Sequence, residues 1–414
     1  MNILKTSILS GLSTLIGMIS GFIITKVIAV YVGPGGMAVV GQLQNFINIS
    51  MLTAGGFLKT ALVKFTAEFS NDISERNSYW SAAFRIVCFF NLFSFTLLFF
   101  FAEELSNLIL KSNDYEYVFK IFAFSLPLFI FNTIFVSILN GLSKIKKFIL
   151  LNIVLNIVSL ILVTTLSYFF QLPGALIAYV TNQSFVLLFT FIYLRNESWF
   201  KLSNFCLKPK YESYVGLFGI ALITIFAVIS SNLSMIYIRN LIVENISIDD
   251  AGYWQGIWTL SQVVLSLVTM AFSTYLLPKL STIARKDLIY RELLLALQLI
   301  LPITILIAFF MYFFRNEIIL VLFTNEFKLM ADLFLPQMFG NVIKVIGWLF
   351  GYVLVSKGMV KYTVISEVFF GISWCLLTNV FIIEFGLIGA CYAFIVNNIF
   401  HALTMYILFK FKVK

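Results

Sequence analysis

The sequence predicts an all-α polytopic membrane protein with about twelve transmembrane helices. Of its 414 residues, 61% are hydrophobic and 11% are charged, whereas soluble domains carry about a quarter charged residues. Apolar segments long enough to cross a bilayer recur along the whole chain, and features of the first half recur in the second. Lipid rather than water must therefore surround most of the chain.

A helix needs about 20 mostly apolar residues to cross the hydrocarbon core. Segments of this length are predicted near residues 6–32, 37–66, 79–101, 115–142, 147–170, 174–194, 213–241, 250–280, 290–314, 329–356, 361–383 and 386–409. The first apolar run is too long for a cleaved signal peptide, so we expect a retained span. The short loops leave no room for a soluble catalytic domain.

Basic residues concentrate in alternate connecting segments, chiefly 144–147, 195–210, 279–291, 357–361 and 410–414. The opposite loops hold mainly Lys111, Arg315 and Lys328 among many acidic residues. Basic loops stay in the cytoplasm, so both termini are predicted to be cytoplasmic. The net charge of +9 is therefore first a topology signal and not evidence for a nucleic-acid partner.

Several classes of chemistry are disfavoured by the residue inventory. Four scattered cysteines and one histidine argue against a disulfide framework and a metal cluster. A Gly-rich loop ending in Gly-Lys-Ser/Thr is absent, so no nucleotide cofactor is predicted. Paired carboxylates and a Ser/His/Asp set are also missing where substrate and water could meet, so we predict that the protein is not an enzyme.

An internal repeat relates the two halves of the chain. The segment beginning Gly174-Ala175 matches the one beginning Gly389-Ala390, 215 residues later, and the same offset brings Lys146 onto Lys361. The offset also pairs Asn152 with Glu367 and Gly41 with Gly256. We expect two pseudo-symmetric six-helix lobes, residues 1–205 and 206–414, joined in the cytoplasmic stretch 195–212. Two such lobes rocking around a central site form a transporter architecture.

The predicted spans carry more basic than acidic side chains. The basic residues are Lys26, Lys59, Lys64, Arg85, Lys120, Arg239 and Lys344, and the one acid well inside a span is Glu367. A charge at mid-bilayer costs about 2.5–3.5 kcal/mol on insertion scales, so these groups are expected to face a cavity or a partner. The surplus predicts a cationic cavity that takes an anionic ligand. For Lys64, Arg85, Lys120 and Arg239, snorkelling to the membrane interface remains open as an alternative.

Polar residues recur at helical spacing in the spans that carry these cations. The stripes contain Gln337, Asn341, Lys344 and Trp348; Gln255, Trp258 and Gln262; Gly41, Gln44, Asn48, Gly55 and Lys59; and Asn397, His401 and Thr404. Amides and tryptophan faces suit sugars, while Lys and Arg suit phosphate. Interhelical hydrogen bonding is the alternative explanation of each stripe.

Several clusters of residues resemble a known family. They are Lys26 with Ala29-Val30 and Gly33-Pro34-x-Gly36, Lys64, Ser112-Asn113-Asp114-Tyr115, Arg239-Asn240-Leu241, Gly252-Tyr253-Trp254-Gln255-Gly256, Tyr275-Leu276-Leu277-Pro278-x-Leu280-Ser281, Phe327, Asp332-Leu333-Phe334, Gln337, Lys344 and Gly351-Tyr352. From end to end the sequence resembles the bacterial flippases for lipid-linked O-antigen and enterobacterial common antigen units, in the multidrug/oligosaccharidyl-lipid/polysaccharide exporter superfamily.

This resemblance implies two six-helix lobes that form a V, with helices one, two, seven and eight lining the cavity. It also implies transport of an undecaprenyl-diphosphate oligosaccharide from the cytoplasmic to the periplasmic leaflet. A polysaccharide polymerase and a chain-length regulator are candidate partners. A multidrug or organic-cation antiporter of the same fold is the alternative, although such a protein would need buried acids.

Combining the resemblance with the cation surplus assigns candidate roles to individual residues. The diphosphate is expected near Lys26, Lys59, Lys64 and Arg239, with Lys344 secondary. The sugars are expected to meet Gln44, Asn48, Gln255, Trp258, Gln262 and Asn341. Glu367 and His401 are candidates for proton or sodium coupling, although hydrogen bonding within the bundle is an alternative role for His401.

Overall fold

The computed structural model describes the backbone of residues 3–412, together with the side chains of that range except 3–8, 10, 220, 222 and 223. The predicted cytoplasmic charges of Lys5 and Lys414 lie outside the described side chains. All regular secondary structure in the described range is helical.

The α-helices, in chain order, are α1 (Ile3–Tyr31), α2 (Gly33–Thr53), α3 (Lys59–Glu68), α4 (Ile73–Phe100), α5 (Ala102–Leu105), α6 (Glu116–Gly141), α7 (Ile145–Leu194), α8 (Tyr211–Asn245), α9 (Ile248–Ala271), α10 (Leu277–Thr282), α11 (Lys286–Phe313), α12 (Arg315–Leu322), α13 (Phe334–Ser356), α14 (Val360–Phe385) and α15 (Leu387–Lys412). Short 3-10 helices cover Gly56–Leu58, Asn113–Tyr115, Leu202–Asn204 and Asn325–Leu333, and π-helical turns cover Ser106–Leu110 and Phe272–Leu276.

The described helices account for the predicted number of spans. Ten of them are long and apolar enough to cross a membrane. The 50-residue α7 is interrupted at Gln171, whose φ of 51° and ψ of −130° break the helix into two crossings. A further crossing is the bent pair Gly33–Thr53 and Gly56–Glu68, whose axes differ by 69°. The chain is therefore a multi-pass helical membrane protein with twelve crossings, as the apolar pattern predicts.

The duplication is visible in the backbone at the same 215-residue offset. Ser143 has a φ of 55° and Gly358 a φ of 65°, while Gln171 has a φ of 51° and Gly386 a φ of 61°. These two pairs are among the few positive-φ residues of the described chain. Each half thus turns between its fourth and fifth spans, and again between its fifth and sixth, with the same local conformation. These repeated conformations support the predicted duplication.

A close backbone contact repeats in the same way. A Cβ added to Gly174 would lie 2.0 Å from the carbonyl oxygen of Leu166, and one added to Gly389 would lie 2.1 Å from that of Phe381. Any side chain would force the two helices of the turn apart, so glycine is required at both positions. The repeated Gly-Ala motif found in the sequence therefore marks the sharp turn between two antiparallel spans.

The chain divides into two compact units that differ from the predicted lobes 1–205 and 206–414. The first unit comprises the chain up to Val32 and Gln42–Val228, and the second comprises Gly33–Gly41 and the chain from Ile229 onward. The start of α2 therefore belongs to the second unit, and the first unit continues into α8. Long-range contacts that leave no local signal in the sequence set both boundaries.

The segment after α7 packs on the N-terminal end of α4, which explains why the first unit continues past residue 205. The Asn77 amide donates to the side chain of Asn204 at 3.1 Å, and the backbone N–H of Lys210 donates to the Ser78 hydroxyl at 2.9 Å. The buried indole of Trp80 stacks on Phe205, with ring centroids 5.6 Å apart. The stretch predicted to join the lobes is thus fastened to the first unit.

Glu197 links this segment to the turn between α6 and α7, where its carboxylate binds the ammonium groups of Lys144 and Lys147. Partial burial alone would raise the pKa of Glu197, but the hydrogen bonds and charges of the two lysines outweigh burial and hold that pKa below its usual value. A carboxyl group with a lowered folded-state pKa contributes stability above its unfolded pKa, and this contribution is lost as pH falls through the folded pKa.

We therefore expect Glu197→Gln to lower the unfolding free energy of purified protein by about 0.5–1 kcal/mol at pH 7. The difference from wild type should disappear in acid, below the ordinary range of a glutamate. Thermal unfolding in detergent across pH measures this difference, with Glu104→Gln, an exposed glutamate on α5, as the control. An E197Q deficit that stays constant with pH would contradict the ion-pair account.

Candidate functional site

The second span is broken where two glycines meet. Gly55 has a φ of 119°, which L side chains rarely adopt, and Gly56–Leu58 forms a 3-10 turn before α3 begins at Lys59. The N-terminal end of a membrane half-helix carries partial positive charge and suits anionic groups. Lys59 is exposed at this end and adds a full positive charge there. Lys64 is also exposed one turn later, with its ammonium 5.0 Å from the Phe65 ring centroid.

Gly55→Ala is expected to strain this break, because a Cβ at Gly55 would lie 2.8 Å from Val87 Cγ2 and would have to adopt a positive φ. We expect a loss of about 1–3 kcal/mol in stability and impaired transport. Thermostability in detergent measures the first effect. Gly21→Ala is the matched control, since a Cβ at Gly21 meets nothing within 4 Å; equal losses in both variants would contradict a special role for the break.

The other candidate residues of the first unit lie on α1 and α2. Lys26 is half-buried on α1, next to Thr25, whose hydroxyl donates to the carbonyl of Gly21 at 2.9 Å. The half-buried Gln44 side chain hydrogen-bonds Tyr179 on α7. Asn48, one turn later on α2, is exposed. Gln44 is thus engaged within the first unit, and Asn48 lies at its surface.

Two other basic residues of the first unit have local partners near the ends of their spans. Lys120 pairs with Glu116, four residues earlier on α6. Arg85 donates to the backbone carbonyl of Leu207 at 3.2 Å. These contacts agree with the interfacial explanation of both side chains.

Arg239 is buried in the second unit, with 2% of its surface exposed. Its guanidinium donates to Gln255 Oε1, and its Cζ lies 5.8 Å from the ring centroid of Trp254. The Gln255 Nε2 in turn donates to the Thr259 hydroxyl at 3.4 Å. Arg239 and Gln255, which sequence reasoning gave to phosphate and sugar respectively, are therefore hydrogen-bonded to each other.

Lys344 lies in an aromatic cage made by three helices. Its Nζ is 5.2 Å from the ring centroids of Trp348 and Phe394 and 5.6 Å from that of Trp258. Trp374 extends the cage, with its ring centroid 5.3 Å from that of Trp258. Sequence reasoning placed Trp348 and Trp258 on polar stripes, but it missed Phe394 and Trp374, because only the packing of α13, α14 and α15 brings them together.

The remaining candidates of the second unit differ in exposure. Asn341 is buried on α13 and donates to the Ser261 hydroxyl of α9 at 3.0 Å. Gln262 is exposed on α9, and Glu367 is exposed on α14. His401 is half-buried, with its ring edge-on to Phe370 at a centroid distance of 5.0 Å.

The predicted site residues therefore fall in both units. The first holds Lys26, Lys59, Lys64, Gln44 and Asn48, and the second holds Arg239, Lys344, Gln255, Trp258, Gln262, Asn341, Glu367 and His401. Chemically, the exposed lysines can bind an anion, the exposed amides can bind hydroxyl groups, and the caged ammonium can exchange partners.

Solved structures identify the fold. An inward-facing multidrug resistance MATE family transporter of the MOP superfamily has a TM-score of 0.75 with 16% identity, and the match covers 97% of this chain and 94% of that one. A MOP superfamily transporter from Pyrococcus furiosus, described as having a binding pocket of reverse polarity, has a TM-score of 0.68 with 13% identity over 99% of this chain and 95% of its own. The fold is therefore that of MATE transporters.

The chain is a multi-pass helical membrane protein with the MATE fold. The chain belongs to the polysaccharide biosynthesis protein family, whose family model matches residues 3–284. It is 27% identical to the Lipid III flippase of Escherichia coli (strain K12) over 380 residues, which are 89% of this chain and 88% of the flippase. The Lipid III flippase of Shigella flexneri matches to the same extent. Both relatives fit the resemblance noted from the sequence.

Proposed function

We propose that the protein flips an undecaprenyl-diphosphate-linked oligosaccharide, an O-antigen-type repeat unit, from the cytoplasmic to the periplasmic leaflet of the bacterial inner membrane. The observation that carries this proposal is the surplus of basic over acidic side chains inside the spans of a MATE-type fold. A lipid diphosphate is an anion whose charge is complementary to this surplus. The Lipid III flippases, which match most of the chain, support a lipid-linked sugar as the cargo.

In this proposal the diphosphate binds near Lys26, Lys59, Lys64 and Arg239, with Lys344 secondary. Lys59 and Lys64 are exposed and Lys26 is half-buried, so part of each side chain reaches the surface of the first unit. The sugars meet Gln44, Asn48, Gln255, Trp258, Gln262 and Asn341. Asn48 and Gln262 are the exposed amides of this set, while Gln255 and Asn341 would have to give up the hydrogen bonds described above.

Both termini are cytoplasmic in this proposal, because the basic segments belong on that side. Transport proceeds by alternating access, while the prenyl tail stays in the lipid. A polymerase and a chain-length regulator would receive the flipped unit on the periplasmic side.

The membrane potential can supply the direction of transport. Moving one charge across 100 mV is worth about 2.3 kcal/mol, so a dianion that leaves a negative interior gains about 4–5 kcal/mol. Glu367 and His401 are the candidate groups for proton or sodium coupling in addition.

The alternative is a multidrug or organic-cation antiporter of the same fold, and the likeness to MATE structures is the observation in its favour. Protonatable cations need buried acids as partners, whereas the spans of this chain are rich in lysine. Uptake of a fluorescent organic cation by vesicles would favour this alternative over the flippase.

Genetic complementation tests the proposal. The protein is expressed, at a measured membrane level, in strains that lack their own O-antigen or enterobacterial common antigen flippase. We expect surface polysaccharide to return in at least one strain with a compatible repeat unit. Failure across a panel of antigen clusters, together with export of an organic cation, would overturn the proposal.

A further inference from the structure

Lys344 occupies an unusual position in the second unit. The rings of Trp258, Trp348 and Phe394 hold its ammonium by cation–π contacts at 5.2–5.6 Å. These rings come from α9, α13 and α15, so three helices fix the position of the charge. The lysine is only half-buried, and part of its side chain therefore remains open to other partners.

Two titratable groups share this region. The carboxylate of Glu367 on α14 and the imidazole of His401 on α15 both interact electrostatically with Lys344. Packing places His401 beside the lysine independently of charge, because a Cβ on Gly347, one turn after Lys344, would lie 2.6 Å from His401 Nδ1. Phe370, one turn after Glu367, packs on the same imidazole. Among the described residues, Glu367 is the acid that can neutralise Lys344.

The internal repeat shows that packing does not require these charges. The positions that match Lys344, Glu367 and His401 at the 215-residue offset are Phe129, Asn152 and Val186. All three are neutral, and Phe129 and Val186 are buried as ordinary core residues of the first unit. The first unit thus has neutral side chains at these three positions, whereas the second has a cation, an acid and an imidazole there. A charge inside a membrane is costly, so its presence in one lobe alone points to a function.

We infer that Lys344 exchanges Glu367 for a bound diphosphate, and that Glu367 takes up a proton when the exchange occurs. The inference rests on the proposed function, which supplies the diphosphate. One ammonium cannot fully compensate a carboxylate and a phosphate at once, so anion binding removes the counter-charge of Glu367. Glu367 lies at the protein surface, and the exchange requires that a proton reach its carboxylate there. By linkage, protonation of Glu367 strengthens anion binding by the same factor.

The charges around Lys344 and Glu367 determine whether anion binding strengthens or weakens as pH falls. The cage rings on α9, α13 and α15 are neutral, and His401 contributes no negative charge in either protonation state. Protonation of Glu367 therefore leaves Lys344 without an internal anion and favours an external one. Binding should strengthen as pH falls, and this pH dependence should vanish when residue 367 cannot ionise.

The test is a proton inventory of ligand binding. Full-length protein in nanodiscs is titrated with farnesyl diphosphate by calorimetry at one pH in buffers of different ionisation enthalpy, with empty nanodiscs as the blank. Protons that farnesyl diphosphate itself gains or loses on binding contribute equally in wild type and in the variants, so they cancel in the comparison. We expect wild type to take up more protons per bound ligand than Glu367→Gln, by up to about one. Glu384→Gln, an exposed glutamate on the same helix, should behave as wild type.

Lys344→Gln should bind the ligand more weakly and lose the same proton uptake. Equal proton uptake by wild type and E367Q, or wild-type uptake in K344Q, would overturn the exchange while leaving a diphosphate site in place. Absence of binding in all variants, wild type included, would instead overturn the proposed diphosphate cargo and the exchange with it.

Discussion

Replacing Lys26 with glutamine is expected to lower the rate of flipping by about 10–100-fold, because a hydrogen bond to a charged group is worth about 1.5–3 kcal/mol. Lys26 lies on α1, half-buried, in a part of the membrane where an ammonium is costly unless it faces water or an anion. The loss should affect transport more than folding, since glutamine keeps most of the side-chain volume. The readout is surface polysaccharide in a complemented strain at matched membrane levels.

Lys120→Gln is the control for this prediction. Lys120 is another basic residue of the first unit within a predicted span, but it pairs with Glu116 on its own helix. We expect this variant to complement normally. If K26Q complements as well as K120Q does, Lys26 is not a ligand of the diphosphate, although the flippase itself would stand.

Of the glycine-to-alanine substitutions considered, Gly252→Ala should lower the stability of the protein most. A Cβ on Gly252 would lie 2.0 Å from the carbonyl oxygen of Pro34 and 2.9 Å from its Cα, so the backbones of α9 and α2 would have to separate. Backbone atoms cannot move aside as a flexible side chain does, and we expect a loss of about 2–4 kcal/mol. Membrane abundance and thermostability in detergent measure this loss.

Gly351→Ala provides the matched control on α13 of the same unit, because its nearest neighbour would be Met405 Sδ at 3.9 Å. This variant should be close to wild type. Similar stability of G252A and G351A would show that the stability of the protein does not depend on the close approach of α2 and α9. Gly252 and Pro34 both belong to motifs that carry the family resemblance, and this contact gives those motifs a packing explanation.

The spans and the repeat could be predicted because both are local signals. Twenty apolar residues predict a span wherever they occur, and the Gly174 and Gly389 motifs match by simple alignment of the two halves. The backbone supports this prediction further, since Ser143 and Gly358 share a left-handed conformation at the same offset. Sequence reasoning treated the second span as one helix, although Gly55 and Gly56 lie together at the break.

The residues of the candidate site were harder to place, because their partners are distant in sequence. A polar stripe identified Lys344 and Trp348, but nothing local links Lys344 to Phe394 or to Glu367. Arg239 and Gln255 were assigned to different parts of the cargo, yet they form a hydrogen bond inside one unit. The assignment of the segment after α7 to the first unit depends on Asn77 and Trp80, more than a hundred residues away.

Translocation by the purified protein in vesicles tests directly whether it flips a lipid-linked oligosaccharide. An undecaprenyl-diphosphate oligosaccharide is incorporated into proteoliposomes, and its exposure to an impermeant sugar-modifying reagent is followed under an imposed potential. We expect vesicles with wild-type protein to translocate the lipid faster than protein-free vesicles. An imposed potential should bias the direction of transport, and the K26Q variant should be slow. A rate equal to that of protein-free vesicles, with transport of an organic cation by the same preparation, would contradict it.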